Sequence, residues 1–92
     1  MEKYALLGTY DNSDRNNVEI IAYSDNTLEL QNISKAIDKV NELLKDKDRD
    51  SPNAEVKTYI EEHLSEIDIV DAMTDYVQDI ETKGIVELKE VR

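Results

Sequence analysis

Hydrophobic and polar positions change period twice along this chain, from strand to helix spacing and back. Lys3 to Tyr10 (KYALLGTY) is dense in aliphatic and aromatic residues, and Val18 to Tyr23 (VEIIAY) has the β-branched signature of a strand. The turn formers from Asp11 to Asn17 lie between them, which predicts a hairpin with a long polar loop. Asn26 followed by Glu29 forms a capping-box pattern, and Leu30, Ile33, Ile37, Val40 and Leu44 then recur at spacings of three and four. That spacing predicts a helix over about 27–46.

Ser51-Pro52 supplies an N-cap and a helix-opening proline, and Val56, Tyr59, Ile60, His63 and Leu64 share one face of a second helix over about 52–64. The run Ser65-Glu66-Ile67-Asp68 repeats the start signal. Ile69, Met73, Tyr76, Val77 and Ile80 then predict a third helix over about 66–82, with Lys83-Gly84 as its C-cap. Ile85 to Val91 alternates as a final strand over about 85–91. The expected order is ββαααβ, an α+β fold. The first strand is apolar on both faces and therefore central, giving a three-stranded antiparallel sheet of order 2-1-3 covered on one face by helices.

At 92 residues the chain has room for one domain spanning 1–92 and a single modest core. The absence of cysteine excludes disulfide scaffolds, thiolate zinc sites and cysteine nucleophiles. No apolar run approaches the roughly 20 residues of a membrane span, and Met1-Glu2-Lys3 leads into a strand rather than a signal peptide, so a cytoplasmic protein is expected. A net charge of −11 argues against direct binding to nucleic acid or an anionic membrane.

The placement of that charge is more informative than its size. Between Thr58 and Thr82 stand Glu61, Glu62, Glu66, Asp68, Asp71, Asp75, Asp79 and Glu81 without a lysine or arginine, and the rest of the chain carries only −3. On the expected third helix, Asp68, Asp71, Asp75 and Asp79 fall within roughly 80° of one another, opposite the apolar face. The plain alternative is a solvated face. Three successive like-charge pairs nevertheless cost such a helix about 1 kcal/mol, and aspartate is a poor helix former, so the stripe points to a use beyond solubility. From Asp68 to Asp79 the helix would rise about 16 Å, a length over which one DNA strand carries about five charges.

In this charge pattern the chain resembles the small acidic DNA-mimic inhibitors of phages and plasmids: anti-restriction proteins, some anti-CRISPR proteins and the inhibitors of uracil-DNA glycosylase. The resemblance implies a non-enzymatic inhibitor whose partner is a basic nucleic-acid-binding protein of host defence or DNA processing. Asp68, Asp71, Asp75 and Asp79 would supply the charge, with Glu61, Glu62 and Glu66 extending it. Substituting lysine at Asp71 and Asp75 would then abolish inhibition and leave the fold intact. An immunity protein against a basic nuclease toxin is the nearest alternative. A third reading is a small adaptor or homodimer whose acidic face is only solvated and whose contacts lie on the open sheet face or the tyrosines.

The other constellations carry less. Asp46-Lys47-Asp48-Arg49-Asp50 imitates a calcium loop, but the glycine and bidentate glutamate such a loop needs are replaced by Ser51 and Lys57, so no metal is expected and the segment reads as a solvated connection. His63, the only histidine, has no second imidazole or thiol for a transition metal and reads as a residue at the core boundary. With neither tryptophan nor phenylalanine to line a cleft, neither catalysis nor a cofactor is expected. Tyr10 and Tyr23, near the ends of the hairpin strands, are candidate partner contacts beside the simpler role of capping the sheet edges.

Overall fold

The computed structural model describes residues 3–10, 17–71 and 73–89. Most of the expected hairpin loop (11–16) and the end of the expected last strand (90 and 91) lie outside the described residues. Strand β1 (Tyr4–Tyr10) forms the middle of a three-stranded antiparallel sheet, flanked by β2 (Glu19–Ser24) and by β5 (Ile80–Glu87). The apolar character of β1 accords with its central place, paired along both edges and packed on the core through Leu6. Helices α1 (Thr27–Leu43) and α2 (Ala54–His63) complete an α+β arrangement, and among the described residues no helix is long and apolar enough to cross a membrane.

Helix α1 is capped by Asn26, whose side-chain oxygen accepts the Leu28 N–H at 2.9 Å. Glu29 does not close the capping box itself. The Ser24 hydroxyl stands between the two, accepting the Asn26 N–H at 3.0 Å and donating to Glu29 Oε2 at 2.9 Å, so the end of β2 and the first turn of α1 are locked together. Leu30, Ile33, Ile37, Val40 and Leu44 are all buried, as their spacing predicts, and they pack with Leu6 and Ile21 from the sheet in one core. The heptad-like spacing is thus explained by packing on the sheet.

Helix α2 starts one cap later than expected. Asn53, not Ser51, accepts the Val56 N–H, at 3.0 Å, and Pro52 is buried just before it. Val56, Ile60 and Leu64 enter the core, but His63 corrects the expectation of a core-boundary residue. It is exposed, its ring 4.4 Å from that of Tyr59 and its Nε2 4.0 Å from Glu62 Oε2.

The third helix does not form. Residues after Leu64 make a turn, closed by the Ile67 N–H on the Leu64 carbonyl, and then a two-stranded antiparallel hairpin of β3 (Val70–Asp71) and β4 (Tyr76–Val77). The physical reasons are those that made the helix costly: stacked like charges, aspartates, and the β-branched residues Ile69, Val70, Val77 and Ile80. Asp71 also competes directly with helix formation. Its carboxylate accepts the Met73 N–H at 3.0 Å, and its carbonyl accepts the Thr74 N–H at 3.1 Å. Asp75 then turns the chain at φ 56, a left-handed conformation that aspartate tolerates better than most residues.

Ile69, Val77 and Ile80 reach the core by this route, whereas Met73, expected on a buried helix face, is 94% exposed at the hairpin tip. Strand β5 begins at Ile80, five residues before the expected Ile85. Lys83-Gly84 is accordingly not a helix cap but part of a bulge in β5, where the register against β1 shifts between Leu7 and Gly8. Gly84 has φ 139, which only glycine adopts readily. Gly8 answers a different need, since a Cβ there would meet the Ile21 side chain and stand 2.7 Å from the Glu81 carbonyl oxygen.

Candidate functional site

Loss of the third helix disperses the aspartate stripe. Asp68 is exposed in the link between α2 and β3, Asp71 is half-buried and holds the hairpin turn, and Asp75 is exposed in its left-handed position. Asp79 is drawn to Arg49, with Oδ1 3.5 Å from Nη2, and Glu81 pairs with Lys83 at 3.1 Å. Two of the eight acids in the lysine-free segment therefore meet a cation from outside it. Glu61, Glu62 and Glu66 remain exposed at and just beyond the C-terminal end of α2.

Arg49 corrects the reading of Asp46–Asp50 as a merely solvated connection. Its guanidinium donates to the carbonyls of Val77 and Gln78, both at 3.2 Å, and to Asn41 Oδ1 at 3.0 Å. The Arg49 carbonyl accepts the Val77 N–H at 3.1 Å, and Asn41 Nδ2 donates to the Ile80 carbonyl at 2.9 Å. One half-buried arginine thus ties the end of α1 to β4 and the entry of β5. The surrounding aspartates serve as local turn acceptors, Asp48 Oδ1 taking the Asp50 N–H at 2.9 Å.

A different acidic surface takes the stripe's place. Glu29 from α1, Glu62 from α2 and Glu66 from the turn after it line one shallow hollow of ≈ 200 Å³ with His63, Asn32 and Ser65. Glu29 and Glu66 also border a second hollow of ≈ 400 Å³, whose remaining wall is Tyr23, Ser24, Asp25 and Asn26. Acids from two separate stretches of sequence, 25–29 and 62–66, therefore form one continuous surface, with Tyr23, 48% exposed, at its end. Of the candidate residues, Glu62, Glu66 and Tyr23 are brought together here. Asp25 and Glu29 join them, and sequence reasoning missed both because each reads locally, one as a turn residue and one as a capping acid.

Tyr10 lies elsewhere, half-buried at the core margin opposite Ile80. Burial raises its pKa above the ordinary 10.0, and the carboxylates of Glu19 and Asp68 raise it further. Asp68 is therefore electrostatically in touch with Tyr10, on a side of the molecule set by the β1 and β2 strands. Asp71 and Asp75 stand apart at the hairpin.

These features define the molecule as a small α+β protein with an exposed, composite acidic surface. Compared with models of known families, with curated proteins and with solved structures, the chain matches none.

Proposed function

We propose that this protein is a non-enzymatic acidic inhibitor that occupies the basic nucleic-acid-binding surface of a host defence or DNA-processing protein, in the manner of anti-restriction or anti-CRISPR DNA mimics. The observation that carries this reading is the composite surface of Asp25, Glu29, Glu62 and Glu66, four carboxylates from two distant stretches of chain around two adjoining hollows. A surface built only for solubility mixes signs, and the residues lining these two hollows include no lysine or arginine. Such a surface attracts a basic groove over long range, speeding association in a salt-dependent way. Tyr23 at its end supplies an amphipathic side chain of the kind that anchors interfaces.

The test is capture from a nuclease-treated host lysate on immobilised protein. A retained basic nucleic-acid-binding protein, released by moderate salt and displaced by added duplex DNA, is the expected outcome. A retained protein that neither salt nor DNA displaces, or no retained protein, contradicts the proposal.

A further inference from the structure

His63 stands where the acids of the composite surface converge. Glu29 of α1, Glu62 of α2 and Glu66 of the following turn share its hollow, and the residues lining that hollow include no lysine or arginine. Asp25 lies one hollow further on, beside the same Glu29 and Glu66. His63 also occupies the last turn of α2, where the backbone carbonyls carry the negative end of the helix dipole. The ring of Tyr59, tilted at 41° with its centroid 4.4 Å away, braces the imidazole. Lys39 and Glu55, of opposite charge, belong to a separate hollow that Tyr59 and Glu62 also line.

Imidazole is the one side chain that ordinarily changes charge between pH 5 and 8, and His63 is the only histidine of the chain. A proton on it is therefore the one positive charge that the hollow can acquire from its own lining. The side chain is 50% exposed, so water delivers and removes that proton freely. Its Nε2 already stands 4.0 Å from Glu62 Oε2, close enough for an imidazolium to neutralise a carboxylate that a partner's cation would otherwise meet.

We infer that His63 is a proton-operated switch on the acidic surface. Neutral, it leaves the carboxylates to a basic partner; protonated, it competes with that partner for them. This role rests on the inhibitor reading proposed above and adds its regulation. The direction follows from charge alone. Above the histidine range the surface presents its full negative charge and holds the target, and as pH falls through that range an internal cation appears among the acids and the target is released. Proton and partner are reciprocally linked, so whatever factor acidification takes from the affinity, a bound partner must take from the hold of His63 on its proton.

Binding of a labelled oligo-arginine peptide to the full chain at constant ionic strength tests this, because the charge of the peptide does not change over the range. Wild-type affinity should be about three- to tenfold lower at about pH 5.5 than at about pH 8, and His63→Gln should match the wild type at the higher pH and lose most of that difference. The variant keeps every carboxylate, so it measures whatever the acids themselves contribute to the pH dependence. In a proton NMR titration of the wild type, saturating peptide should move the His63 midpoint to lower pH by the same factor.

Equal pH dependence in the two proteins, tighter wild-type binding at the lower pH, or an unmoved His63 titration in the complex would overturn the switch. Salt-sensitive binding that persists in any of those cases leaves the acidic surface standing without it, whereas no binding at either pH overturns both. The NMR titration needs no variant, so it decides even where His63→Gln does not fold.

Discussion

Arg49 shows how much one side chain can organise in a small fold. It is 18% exposed and satisfies two backbone carbonyls and the Asn41 amide, so Arg49→Ala strands acceptors that water reaches poorly. Loss of about 2 to 3 kcal/mol of unfolding free energy is expected, and Arg49→Lys should recover little of it because an ammonium cannot reproduce the planar fork. Asp79→Ala, which removes a partner that is half exposed, should cost under about 1 kcal/mol. Urea unfolding of the three variants measures all of this.

Tyr10 gives a second reading at this scale. Its folded pKa is raised, so the stability it contributes is fully present below pH 10 and is lost as pH rises through the folded value. The difference in phenolate absorbance between the wild type and Tyr10→Phe should show a midpoint above 10, and Asp68→Asn should lower that midpoint by removing one of the carboxylates that raise it. The sequence placed Tyr10 near the end of a strand, but it could not show that Glu19 and Asp68 converge there.

At the scale of elements, the legible parts were those whose pattern had one physical reading. The three-four repeat of α1, and the apolar β1 that had to be central, both appear as their residues require. The segment from Glu66 to Thr82 had two readings. Ile69, Val77 and Ile80 satisfy a helical face, but they equally satisfy short strands entering the core. The like-charge stacking that made the helix expensive is better understood as evidence against the helix than as evidence for a function that repays it.

Far-UV circular dichroism checks this directly. Helices of 17 and 10 residues give a helix content under one third, whereas a third helix over Glu66–Thr82 would bring it to nearly one half. The hairpin also changes what mutation can show. Lysine at Asp71 removes the acceptor of the Met73 N–H, so loss of activity there would report on the turn as well as on charge.

At the scale of the whole molecule, the net charge of −11 is divided by the fold rather than by the sequence. The lysine-free segment drew attention to Glu61, Glu62 and Glu66, and two of those three border the acidic hollows. The acids that complete the surface, Asp25 and Glu29, come from the β2–α1 junction, and no spacing rule along the chain connects them to α2. Long-range convergence of this kind depends on how α1 and α2 pack, which pattern alone does not specify. The fold thereby gathers an acidic surface around the helix ends, with Tyr23 of β2 at its border.

The most direct test of the acidic surface as the binding element is to reverse its charge where it carries least structure. Glu62 and Glu66 are exposed, and among the described residues the one ion pair either makes is the 4.0 Å approach of Glu62 to His63. Glu62→Lys combined with Glu66→Lys should leave the circular dichroism spectrum unchanged. The double variant should lose the salt-sensitive capture of a basic nucleic-acid-binding protein, with the association rate falling by more than the dissociation rate rises. Capture that persists undiminished in a folded double variant would contradict the account.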